Sequence, residues 1–136
     1  MAFHPDRYAD LSGFRFALRR FLAASEAINR EAGVTQQQYQ AMLAVRAWSG
    51  EAMAMKDLAE ELMLTHHAAV QLVDRLAKQE LVERRPSRDD RRVVWLQLTA
   101  KGSEMLSDLA VLHLDELRRQ EPLLSHSLGR IRNSGR

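Results

Sequence analysis

The chain has 136 residues, a length that suits one domain, or one domain with an added dimerisation element. Hydrophobic residues make up 46% of it, which excludes a disordered chain, and the absence of any run of 18 apolar residues excludes a membrane-spanning helix. There is no cysteine, so disulfides, thiolate nucleophiles and thiol redox sensing are all removed, and a formal net charge of +2 is too small to argue for nucleic acid by itself.

At the N-terminus His4, Pro5, Asp6 and Arg7 stand where the apolar stretch of a signal peptide would begin, so the expected location is the cytoplasm. From Tyr8 to Glu31 apolar residues recur at Leu11, Phe14, Leu18, Phe21, Leu22 and Ile28, a spacing of three and four that predicts one face of a long helix. Gly33 is placed to end it as a C-cap glycine. Thr35 then serves as N-cap to a second helix, carrying Tyr39, Met42 and Leu43 and running on to Gly50. A short third helix is expected over Met55–Leu62, and a fourth after Thr65, with Ala69, Leu72, Val73 and Leu76 on its inner face.

The period then changes. Leu81–Arg85 and Val93–Leu98 read as two short extended runs, punctuated by Pro86 and Ser87, and predict a β-hairpin. Thr99 caps a long helix through Met105, Leu109, Leu112 and Leu117, Pro122 is expected to break it, and a last helix carries Leu123, Leu124, Leu128 and Ile131. The predicted fold is therefore mainly α with a small β-hairpin wing, a winged helix-turn-helix in the order α-α-α-α-β-β-α-α. The outer helices would expose large apolar patches in a monomer, so dimerisation through the N- and C-terminal helices is expected. The division anticipated is 1–34 and 103–136 for dimerisation and 35–102 for DNA binding.

Charge is concentrated where the hairpin turns. Between Arg84 and Arg92 five arginines face two aspartates, and a looser basic group follows at Arg118, Arg119, Arg130, Arg132 and Arg136. Such runs are commonly solvated faces, and only a scaffold that presents them to a duplex gives them meaning.

At this point the chain resembles the MarR family of transcriptional regulators. The stretches that carry the likeness are Val34–Tyr39, Lys56–Leu62, Leu72–Leu76, Leu81–Arg84, Asp90–Arg92 and Leu98–Gly102, in the family's order and spacing over about residues 10 to 120. The resemblance implies a homodimer on a pseudo-palindromic operator in double-stranded DNA, most often a repressor released by a small ligand. Two glycines usual in that family are replaced, by Met63 before the fourth helix and Glu80 after it, at turns where left-handed backbone is expected.

A recognition helix needs one face against the core and short polar or small side chains on the other. Thr65, His66, His67, Ala68, Val70, Gln71 and Arg75 are the candidates on the fourth helix, with Asp74 on the same face and Lys78 further along for the backbone. Gln71 can pair with adenine, and Val70, where the family usually has a hydroxyl, can meet thymine methyl groups. His66 and His67 are equally readable as ordinary exposed first-turn residues, and no third ligand at helical spacing makes them a metal site. In the wing, the resemblance puts Arg92 in the minor groove, oriented by Asp90, and makes Arg84, Arg85, Arg88 and Arg91 candidates for phosphate contacts.

The same resemblance places an effector in a crevice lined by Arg15, Phe16, Arg19, Met42, Arg46 and Trp48, although Met42 and Trp48 also read as core. No cofactor, metal or catalytic constellation is expected, so an enzyme is not. A DNA-binding dimer without effector, or a protein–protein adaptor built on a winged helix, are the alternatives.

Overall fold

The computed structural model describes residues 3–50 and 52–134; Arg136 lies outside them. Five helices and three strands follow one another: α1 (Pro5–Glu31), α2 (Gln36–Ala47), β1 (Met53–Ala54), α3 (Met55–Glu61), α4 (His66–Lys78), β2 (Val82–Pro86), β3 (Val94–Leu98) and α5 (Ala100–Asn133). The strands form an antiparallel sheet in the order β1-β3-β2, with Met53 opposite Leu96 and Arg85 opposite Trp95. This is the mainly helical winged-helix architecture that the sequence implies.

The helix starts are set by threonine. Thr35 Oγ1 accepts from the Gln38 amide at 3.1 Å while Gln38 Oε1 accepts from the Thr35 amide at 3.0 Å, a reciprocal capping box. Thr65 and Thr99 accept likewise from the amides of Ala68 and Gly102. The helix ends share one device. After α1, α3 and α4 the chain turns back through a pair of hydrogen bonds: Gly33 to Arg30 O with Val34 to Asn29 O, Met63 to Glu60 O with Leu64 to Ala59 O, and Glu80 to Ala77 O with Leu81 to Leu76 O. Each of these Schellman turns needs a left-handed residue, and Gly33, Met63 and Glu80 supply it at φ of 80°, 56° and 60°.

Helices α1 and α5 lie antiparallel as two arms. Arg130 Nε donates to Asp10 Oδ1 at 2.7 Å near one end, and His113 Nε2 lies 2.8 Å from Ser25 Oγ near the other. That second end is where the arms join the rest of the chain. His113 stacks on Tyr39 of α2 with ring centroids 3.9 Å apart, and its Nδ1 donates to Leu109 O. Asn29 Nδ2 donates to Gln36 Oε1 at 3.0 Å, leaving Asn29 Oδ1 buried and unpartnered. Around Met42, Met53, Leu58, Leu76, Leu81 and Leu96, all fully buried, α2, α3, α4 and the sheet close the main core.

Three details differ from the expected element order. Pro122 does not end the helix, and α5 passes through it as one piece to Asn133. Proline removes one amide donor and crowds the preceding turn, but Pro122 faces solvent, and α5 is held on both sides of it, by Leu109 and His113 before and by Ser127 and the Arg130–Asp10 pair after. The two-residue strand β1 was not anticipated, because so short a segment has no alternation to read; it exists only as an addition to the edge of β3. Helix α2 stops at Ala47, three residues before Gly50, with Trp48 as its extended C-cap.

Candidate nucleic-acid interface

The helix α4 divides as its pattern demands. Ala69, Leu72, Val73 and Leu76 are buried, while His66, His67, Gln71 and Arg75 are exposed. Ala68 and Val70 are intermediate, and Val70 packs against the core, so only part of its side chain faces outward. Thr65 is exposed but its hydroxyl is engaged in the cap.

Asp74, read from the sequence as part of that outer face, turns instead to the wing, where Arg84 Nη2 donates to Asp74 Oδ1. Both side chains are about 40% exposed (39% and 42%), so the pair is worth little to stability, but it joins recognition helix to strand directly. Arg84, expected from the sequence at phosphate, is here the partner of Asp74 in a brace between α4 and β2.

A second brace comes from residues that the site reading had passed over. Thr99 Oγ1 donates to Glu80 O at 2.6 Å, the Thr99 amide donates to Leu81 O at 3.1 Å, and Lys101 Nζ donates to Gln79 O at 3.0 Å. These bonds gather the carbonyls left open at the end of α4 onto the first turn of α5. Gly102 permits it, since a Cβ there would run into Leu81 O. The Leu98–Gly102 stretch was visible as a motif, but its partners lie 18 to 22 residues upstream and no local period shows them.

The wing tip is built by its own hydrogen bonds. Ser87 Oγ accepts from the amides of Asp89 and Asp90, both at 3.2 Å, and the Val93 amide donates to Asp90 O. Asp90 then grips Arg92: its Oδ1 accepts from the Arg92 amide at 3.0 Å and from Nε at 3.2 Å, and Oδ2 from Nη2 at 3.3 Å. The Arg92 amide bond first, and its guanidinium second, hold the Asp90 carboxyl below its ordinary range. The Arg92 side chain is nevertheless 91% exposed, a cation fixed in direction and open to solvent. Arg88 and Arg91 are exposed and form no ion pair among the described residues, while Arg85 lies 3.6 Å from Glu83.

The residues suggested for an effector are not brought together. Met42 is fully buried core, and Arg15, Phe16 and Arg19 are exposed on α1. Arg46 and Trp48 do share a cleft, but with the wing rather than with those three. No helix among the described residues is long and apolar enough to cross a membrane.

Comparison with known proteins falls on the same region. A model described as MarR family matches residues 32–93. The chain is 31% identical over 71 residues to the HTH-type transcriptional regulator MhqR of Bacillus subtilis (strain 168), covering 52% of this chain and 49% of that one. It is 30% identical over 77 residues to the transcriptional repressor MprA of Escherichia coli (strain K12), covering 57% and 44%. The chain thus spans about half the length of these curated relatives. In fold it is similar to AbsC, a MarR family transcriptional regulator from Streptomyces coelicolor, with a TM-score of 0.80, 22% identity, and 88% of this chain and 81% of that one covered.

Proposed function

We propose that this chain, whose residues 32–93 match a MarR family model, is a member of that family of transcriptional regulators: a homodimeric repressor, acting in the cytoplasm, that binds a pseudo-palindromic operator and is released by a small ligand. The observation that carries the DNA reading is the double brace, Asp74–Arg84 and Thr99/Lys101 onto Gln79–Leu81, which sets the exposed face of α4 and the arginine tip in one rigid unit. A duplex offers a major groove and an adjacent minor groove at fixed separation, and two elements held rigidly together can meet both.

In this reading His66, His67 and Gln71 choose sequence, with a smaller part for Ala68 and Val70; Thr65 and Arg75 approach the backbone. Arg92 enters the minor groove and Arg85, Arg88 and Arg91 hold phosphate. Residues 35–102 do this work, and 1–34 with 103–136 form the dimer. The apolar faces left open on the arms support that division: Leu11, Phe16, Leu18 and Leu22 on α1, and Val111, Leu112, Leu114 and Leu117 on α5, are each at least 37% exposed in the single chain.

The test is the affinity for a duplex from the region upstream of its own gene, measured by fluorescence anisotropy against salt. Three wing arginines at phosphate give a log–log slope of about −3 per protomer. An affinity independent of salt overturns the reading.

A further inference from the structure

Ser87 is the only hydroxyl-bearing residue between Thr65 and Thr99, and it stands at the tip of the wing directly behind Arg84, Arg85 and Pro86. A serine preceded by two arginines at that spacing carries the charge pattern by which kinases of basic substrates choose their target. The guanidiniums lie in an acidic groove of the kinase while the hydroxyl meets the phosphoryl donor.

The structure presents those residues in a usable form. Arg84, Arg85 and Pro86 are extended in β2, and the sheet order β1-β3-β2 leaves one edge of β2 without a partner strand among the described residues. The Arg85 side chain is exposed, and Arg84 is tied only by its half-exposed pair with Asp74, which is weak enough to yield. Ser87 itself is half-buried, on the rim of an open cleft that it shares with Arg85 and Arg88. Its Oγ accepts from the amides of Asp89 and Asp90, both at 3.2 Å, and donates to no acceptor among the described residues. Two amides aimed at the hydroxyl oxygen, with a guanidinium on either side, are the donors that a phosphoryl group attached there would use.

We propose that Ser87 is a phosphorylation site for an arginine-directed serine kinase, and that the phosphoryl group takes the wing off DNA. In the transfer, Ser87 Oγ attacks the γ-phosphorus of a nucleoside triphosphate and the bond from that phosphorus to the β,γ-bridging oxygen breaks. The nucleoside diphosphate leaves, and the hydroxyl proton passes to the kinase's base. The product adds a charge of about −1.5 to −2 at neutral pH. It is set among the five arginines and two aspartates between Arg84 and Arg92. It draws Arg85 and Arg88 to itself and repels the duplex. The effect on DNA rests on the function proposed above; the modification does not.

The full chain, incubated with ATP and the catalytic subunit of cyclic-AMP-dependent protein kinase, should acquire a phosphoryl group that fragmentation mass spectrometry maps to Ser87. Arg85→Gln should slow that transfer about tenfold or more. No phosphoryl group at Ser87, or an equal rate in Arg85→Gln, overturns the site. In the DNA arm, the full chain made with phosphoserine at position 87 should bind a labelled mixed-sequence duplex at low salt at least about tenfold more weakly than the unmodified chain. The wing's contribution to the log–log salt slope should fall from about −3 to about −1 per protomer, and phosphatase treatment should restore both. Unchanged affinity, or a loss that phosphatase does not reverse, overturns the effect on DNA. If the unmodified protein binds no duplex, the function proposed above fails, and the kinase assay alone decides the site.

Discussion

Met63 and Glu80 occupy left-handed backbone at φ of 56° and 60° although each carries a Cβ, and Met63 is 94% exposed, so its side chain gains almost nothing from packing. The Schellman turns at the ends of α3 and α4 require that conformation whatever residue stands there. Met63→Gly and Glu80→Gly should therefore each stabilise the chain by a few tenths to about 1 kcal/mol, read as a raised urea midpoint at unchanged slope. A lowered midpoint would mean that the side chains contribute something the geometry does not show. Gly102 is the reverse case. It faces Leu81 O, a backbone atom that cannot swing aside, so Gly102→Ala should cost about 1–3 kcal/mol and loosen the brace between α4 and α5. Thermal unfolding at the wild-type temperature would contradict it. Both glycine replacements were legible as departures from a family pattern. The meaning of Gly102 was not, because its neighbour is brought to it by the tertiary fold.

At the scale of elements, the hairpin tip behaves as a small charged device. The Asp90 carboxyl is held below its ordinary value by Arg92, first through the backbone amide and then through the guanidinium. A carboxyl depressed in the folded state contributes above its unfolded-state value and loses that contribution as pH falls through the folded one. The Asp90–Arg92 link should thus persist from neutral pH down through the usual carboxylate range and open only below it. An NMR titration of the Arg92 Nε–H resonance reads this, and a transition at or above the ordinary aspartate value would contradict it. The recognition helix shows why face assignment from spacing is incomplete. The buried positions Ala69, Leu72, Val73 and Leu76 follow the helical period, whereas Asp74 is claimed by Arg84, ten residues on in a strand, and Val70 lies at the border where core packing decides exposure.

At the scale of the whole molecule, two arms of 27 and 34 residues pack on each other and still leave leucine, phenylalanine and valine open. In the proposed dimer a second copy covers them, and two braced units at fixed separation would read two half-sites. Leu112→Glu, at a position 51% exposed in the single chain, should leave the protomer folded, shift sedimentation to the monomer at micromolar concentration, and lower operator affinity at least about tenfold. A variant that sediments as wild type, or a monomer that binds the operator equally well, would remove the arms from the dimer.

Local physics was enough for the helix starts at Thr35, Thr65 and Thr99, the inner face of α4 and the arginine turn, because capping and amphipathic periods act within a few residues. The same locality made Pro122 misleading, since packing against α1 on both sides outweighs one lost hydrogen bond. Only the tertiary structure decided which charges are free. Arg84 is drawn to Asp74, Arg85 to Glu83, Lys101 to Gln79 O and Arg92 to Asp90, while Arg46 and Arg88 form no ion pair among the described residues and stand with the two tryptophans around a cleft drawn from α2, the sheet and the wing. Electrostatic partners depend on distance in space, and a sequence records distance only along the chain.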